Sequence, residues 1–250
     1  MAPSLWLNFL LFLNPNIGLN IDFKTQHCSA FHSGSTVYCN RAVAQELPTD
    51  QEIENIKDFF GQDLFTWYVD ENDSAMKAKI QEHGLQYKTN YPALSLDLNT
   101  LAAYDIPEDI VIQEISYDDY SAREQLLNCF VGSFVYKYTK EFSFEQAAKA
   151  LDTIHDRAGD NLHLYLGFYQ GNIASLRLTI IHDDIVSLHW LGTLPEYRRK
   201  GLGQAITYTA LIDAKKAGCS NAIVTSSPLG LFVTKKLGFK EYASYAVYGN

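Results

Sequence analysis

Residues 195–203 read P-E-Y-R-R-K-G-L-G: a proline, three consecutive cations and two glycines one residue apart. A strand-like run over residues 185–193 precedes them and a helical pattern begins near Gly201. The loop therefore falls at a helix N-terminus, where unpaired backbone N–H groups and the helix dipole favour an anion. Gly201 and Gly203 lack a Cβ, so phosphate oxygens can approach those amides directly. Arg198, Arg199 and Lys200 add positive charge. A P-loop needs Gly-Lys-Ser/Thr, but Gln204 follows the last glycine, which excludes a nucleotide triphosphatase. A dinucleotide fingerprint needs a third glycine where Ile206 stands, and the preceding strands form a meander rather than a βαβ unit.

Other chemistry is sparse. The seven histidines, His27, His32, His83, His155, His163, His182 and His189, contain no H-x-x-x-H and join no Cys/His cluster, so no metal site is expected. No G-x-S-x-G occurs, which argues against a serine hydrolase. His189 lies on the strand-like run before the basic loop. Strict alternation places it on one face with Ser187 and Leu191, where it could accept a proton directly or through water. Glu196, Asp183 and Asp184 are other candidate bases, on turns.

The elements that must position these groups can be read along the chain. T-D-Q-E over residues 49–52 has capping-box spacing; Ile53, Ile56 and Phe60 recur at helical spacing until Gly61. L-F-T-W-Y-V (64–69) has strand composition, residues 72–84 read as a second helix, and Y-P-A-L-S-L-D-L (91–98) alternates like a half-solvated strand. Residues 99–109, with Pro107, read as a linker. The expected division is therefore 1–106 and 107–250. After it, I-V-I-Q-E-I is a strand, a helix runs over about 119–130, and S-F-E-Q (143–146) caps a helix ending near Ala158. Three extended runs from Leu162, Ile173 and Ile185 with turns between them form an antiparallel meander. Helix, strand, helix and strand follow. K-I-Q-E-H-G-L-Q-Y in the first part and T-K-K-L-G-F-K-E-Y in the second echo each other, either as a duplication or as the ordinary pattern of a helix stopped by glycine before a strand.

Composition narrows the class further. Lys plus Arg number 20 against 29 Asp plus Glu, a net charge of −9, the wrong sign for a chain that neutralises nucleic-acid phosphates. The four cysteines are widely spaced without C-x-x-C, as in a reduced, cytoplasmic protein. L-W-L-N-F-L-L-F-L (5–13) is too short to span a bilayer and has no preceding cation, so it reads as a buried strand or helix and no membrane partner is expected.

L-H-W-L-G-T-L-P-E-Y-R-R-K-G-L-G-Q-A-I, with a strand, a glycine-stopped helix and L-G-F (237–239) after it, resembles the GCN5-related N-acetyltransferase (GNAT) superfamily. Its most specific feature is R-x-x-G-x-G at residues 198–203. D-L-F-T-W-Y-V, H-G-L and Y-P-A-L-S-L-D-L resemble the degenerate N-terminal half of tandem GNAT proteins, which lacks that signature. The resemblance implies an α+β fold of two GNAT-like domains, each a mixed, mostly antiparallel sheet flanked by helices. It also implies an acyl-CoA-dependent N-acyltransferase that moves acetyl from acetyl-CoA to a primary amine of a small molecule or protein, without a metal. By that resemblance the diphosphate of coenzyme A lies on the amides of Arg199, Lys200, Gly201, Leu202 and Gly203, bordered by Arg198 and Gln204. The pantetheine arm pairs like an added strand with Leu191, Gly192 and Thr193, where the fourth strand splays from the fifth. The N–H of Leu191 stabilises the oxyanion and His189 serves as base. Family members often carry a tyrosine acid four residues before the glycine of L-G-F; here Thr234 stands there, leaving Tyr242, Tyr245 or an unassisted thiolate. A non-catalytic acyl-CoA-binding module is the alternative.

Overall fold

A computed structural model describes residues 22–35, 39–134 and 143–250. The expected element at residues 5–13 lies outside them. Eleven strands occur: β1 (Phe23–Lys24), β2 (Cys28–Phe31), β3 (Arg41–Ala44), β4 (Thr66–Asp70), β5 (Gln86–Asp97), β6 (Ile110–Ile115), β7 (Leu162–Tyr169), β8 (Asn172–His182), β9 (Ile185–Thr193), β10 (Asn221–Thr225) and β11 (Lys240–Gly249). The helices are α1 (Asp50–Phe60), α2 (Ser74–Glu82), α3 (Tyr120–Phe134), α4 (Phe144–Ala158), α5 (Leu202–Lys216) and α6 (Pro228–Lys236). Two compact units form, one from residues 1–93, 148–158 and 243–250, the other from 94–147 and 159–242. The chain passes between these units four times, and residues 101–109 are irregular.

In the first unit the strand order is β1-β2-β3-β4-β11-β5. β3 and β4 are parallel and β4 and β11 antiparallel. Parallel neighbours need a crossover, and α1 supplies it. Its Ile53, Ile56 and Phe60 are buried with Trp67, Val69, Met76 and Ile80. The expected capping box is present: Glu52 N donates to Thr49 Oγ1 at 3.3 Å, and Thr49 N donates to Glu52 Oε2 at 2.9 Å. Burial raises the Glu52 carboxyl, but hydrogen bonds from His27 and Thr49 outweigh it and hold the group well below the usual carboxylate range.

In the second unit the order is β5-β10-β9-β8-β7-β6. β6 to β9 form the antiparallel meander, and β9 and β10 are parallel with α5 as crossover. Leu94, Leu96, Val186, Leu188, Leu211, Ala222, Val224 and Phe239 fill one core; Ile206 and Ala210 of α5 pack against Tyr165 of β7. β5 runs from Gln86, so its first half extends the strand expected from residue 91, and β5 borders β10 although it precedes it by more than a hundred residues. The same succession of strand, crossover helix, parallel strand, helix and final strand thus occurs as β3-α1-β4-α2-β5 and as β9-α5-β10-α6-β11, the structural form of the sequence echo.

Thr49→Ala removes the cap and should cost about 1 kcal/mol in urea unfolding. Because the Glu52 value is depressed in the folded state, its stabilisation is complete above its ordinary 4.5 and is lost as pH falls through the folded value. Glu52→Gln should therefore flatten the acid limb of the unfolding curve.

Candidate functional site

The basic loop joins β9 to α5. Pro195 to Tyr197 form one 3-10 turn; Arg199 (φ 63°) and Gly201 (φ 91°) are both left-handed, and α5 begins at Leu202. No side chain caps α5. Gln204 N and Ala205 N donate to Gly201 O at 3.0 and 2.9 Å, while the amides of residues 199–203 donate to no group among the described residues. These donors stand at the positive end of a fifteen-residue helix. The contrast with α1 is chemical: Thr49 and Glu52 fill the corresponding end with an oxygen acceptor and a carboxylate, whereas α5 has no side-chain cap among the described residues.

The three cations divide. Arg198 Nε donates to Thr193 O at 3.1 Å and its Nη2 to Ser133 O at 2.9 Å, so the side chain braces the loop against β9 and α3. Lys200 Nζ sits 4.2 Å from the centroid of the Tyr169 ring, and Arg199 is exposed. Gly201 is required by its φ. At Gly203 an added Cβ would stand 3.3 Å from Val233 Cγ2 of α6, so α6 closes tightly on the first turn of α5.

Upstream, β9 pairs with β10 only at Ile185, Val186 and Ser187, opposite Asn221, Ala222 and Ile223. Beyond Ser187 the β10-facing edge of β9, including Leu191, Gly192 and Thr193, has no β-partner among the described residues, as in the splay that the resemblance implies. The β8 side is irregular: Leu178 faces His189 but Leu176 faces Gly192, so one extra residue is bulged into β9, and Trp190 takes a φ of 46°. Its ring stacks on Phe130 of α3 at 4.2 Å, which holds the strained conformation.

The bulge corrects one expectation. Strict alternation puts Leu191 on a face with Ser187 and His189. The extra residue turns Leu191 to the α5 face, against Tyr165 and Ile206, while His189 remains opposite Leu178 on the α3 face. His189 Nε2 lies 2.9 Å from Ser187 Oγ, and that hydroxyl donates to Ile180 O at 3.1 Å. Ser187 Oγ thus ties the imidazole to the strand, and when its one proton goes to Ile180 O the donor across the 2.9 Å contact is His189 Nε2–H. Ser187 was not singled out as functional in the sequence; its position two residues before a strand histidine is the signal that could have found it.

Thr234 is buried in α6, its Oγ1 within 3.1 Å of Leu231 O and 3.3 Å of Gly230 O. Its hydroxyl donates into its own helix. Asp184 accepts from Ser220 Oγ, and Asp184 O accepts from Ser220 N and Asn221 N, so this turn secures the start of β10. Burial pushes Tyr245 up to about 12, keeping that phenol protonated. Among the described residues no group of His, Cys, Asp and Glu could hold a metal ion, and no helix is long and apolar enough to cross a membrane.

Residues 123–239 match the acetyltransferase (GNAT) family, and this segment, which contains the bulge, the splay and the uncapped helix, is a GNAT domain. The family is one of acetyltransferases. The fold of the whole chain is that of solved GNAT proteins. A GCN5-related N-acetyltransferase from Kribbella flavida is similar over 100% of this chain and 96% of its own, with a TM-score of 0.69 and 16% identity. A GCN5-related N-acetyltransferase-like protein from Streptococcus suis is similar over 98% of this chain and 94% of its own (TM-score 0.60, 13% identity). A tandem GNAT protein from the clavulanic acid biosynthesis pathway is similar over 91% and 80% (TM-score 0.57, 12% identity). Among curated proteins no sequence matches.

Gly201→Ala places a side chain at a left-handed φ and should cost about 1 kcal/mol in urea unfolding. Gly203→Ala, at a helical φ, gains propensity against its tight contact with Val233 and should change stability by less than about 0.5 kcal/mol.

Proposed function

We propose that the second unit transfers acetyl from acetyl-CoA to a primary amine, on the site formed by residues 189–204. The observation that carries this reading is the set of five consecutive amides, residues 199–203, that donate to no group among the described residues at the head of α5. A diphosphate supplies oxygen acceptors and the negative charge that a helix N-terminus favours. Bound acetyl-CoA supplies an acyl group activated as a thioester. In this reading the amides of Arg199, Lys200, Gly201, Leu202 and Gly203 hold the diphosphate, with Gln204 at the edge and Arg199 and Lys200 as exposed cations. Arg198 positions the loop. The open main chain of Leu191, Gly192 and Thr193 orders the pantetheine arm as an added strand would be ordered. The Leu191 N–H, on the bulged stretch, receives the negative charge that develops on the carbonyl oxygen.

An alkylammonium, with a pKa near 10.4, must lose a proton to become nucleophilic. His189, its Nε2 within 2.9 Å of Ser187 Oγ, takes that proton, directly or through water. Thr234, turned into its helix, gives no proton to the departing thiolate. A thiol pKa near 8.5 makes it a tolerable leaving group without help. That same turned-in hydroxyl favours the second reading, an acyl-CoA-binding module without turnover. The N-terminal copy, over 1–106 in the chain, contributes the acceptor side or a regulatory surface.

Coenzyme A at about 100 times its dissociation constant should stabilise the wild-type chain by about 2.7 kcal/mol. Gly203→Glu, which sets a carboxylate at the cradle, should abolish that shift; an unchanged shift contradicts the site. Free thiol released from acetyl-CoA with an amine panel separates the two readings. His189→Gln should lower turnover by about 10²-fold or more with coenzyme binding retained.

A further inference from the structure

Among the described residues no side chain answers a charge carried by β8. Arg177 is 2% exposed, among the largest fully buried of the described side chains. Its Nη1 makes one long hydrogen bond, 3.5 Å to Thr207 Oγ1, and among the described residues its Nε and Nη2 have no partner. Among the described residues no carboxylate pairs with it. Burial pulls it down to about 9, with no opposing charge to restore it, and it remains protonated at neutral pH. Taking a guanidinium out of water without a counter-ion costs several kcal/mol, and natural cores carry such a group only where something offsets the cost.

Its location shows what that is. Arg177 lies across the strand pair from the bulge at Trp190 and Leu191, on the face covered by α5. Thr207 accepts its one hydrogen bond and donates to Gly203 O at 2.6 Å, closing a chain from the guanidinium to the first turn of the uncapped helix. The buried cation therefore stands beneath the donor loop. Arg199 and Lys200 face solvent, where salt screens them; a charge inside the sheet-helix core is screened far less. Arginine suits this place, since a buried lysine sheds its proton more readily.

We propose that Arg177 is the interior counter-charge of the diphosphate held by the amides of residues 199–203, a positioning residue acting through Thr207 and the first turn of α5. The inference rests on the function proposed above. It explains why a costly buried charge is kept: the free protein bears the desolvation, and the bound dianion offsets it. A cation that served only packing or fold stability would show the reverse signature, loss of stability on removal with no ligand preference.

The test titrates coenzyme A into the full-length wild type, Arg177→Gln and Arg199→Ala at about 0.05 and 0.5 M salt, with pantetheine, which has no phosphate, as the second probe. Arg177→Gln should bind coenzyme A about tenfold more weakly at both salt concentrations, bind pantetheine as the wild type does, and melt no lower than the wild type when free. The Arg199→Ala penalty should shrink at high salt. Arg177→Met, of similar volume, replaces the glutamine variant if that does not fold. The proposal is overturned if the neutral variant keeps its affinity for coenzyme A, weakens both probes equally, recovers at high salt, or loses turnover at unchanged affinity. A wild-type chain that binds no coenzyme A overturns the function reading itself, before any variant is compared.

Discussion

Every helix must satisfy its first amides with something, and the way α5 fails to do so from its own chain organises the second unit. Arg199 and Gly201 take left-handed conformations, Arg198 secures the bend to Thr193 and Ser133, and among the described residues no side chain makes a capping hydrogen bond. The homologous end of α1 shows the ordinary solution, with a threonine hydroxyl and a glutamate doing within the chain what an anion would do from outside. Of two similarly ordered strand-helix-strand units, one has closed its donor set and the other has kept it open.

The rest of the site follows from that opening. Pairing between β9 and β10 ends at Ser187 and Ile223, so the strand that leads into the donor loop arrives with an unpaired edge. The bulge at Trp190 then changes which face each side chain uses, sending Leu191 under α5 and leaving His189 on the opposite face beside Ser187. Trp190 holds a backbone conformation that a bulky residue rarely adopts, and the stacked Phe130 ring is what over-determines it. Strain, an open edge and unpaired donors are each unfavourable in a free protein, and they occur together here.

Much of this was legible in the residues. The caps at Thr49 and Ser143, the meander and the glycine pair after three cations depend on local chemistry, and each formed at or within a few residues of its expected place. What escaped depends on pairing with distant chain. A one-residue shift of register between β8 and β9 leaves no mark in composition, so alternation assigned Leu191 to the wrong face. Ser175, Arg177 and Thr179 alternate with apolar residues as a solvated face would, but α5 covers that face and all three are buried. The placement of β5 beside β10, and of β11 beside β4, likewise brings together segments that local patterns cannot connect.

Amide hydrogen exchange on the full-length chain, with and without coenzyme A, tests the central claim most directly. The account predicts that the amides of residues 199–203, which have no acceptor among the described residues, become strongly protected on addition of the coenzyme, while the capped first turn of α1 is unchanged. Unaltered exchange at residues 199–203, with coenzyme demonstrably bound, would contradict it.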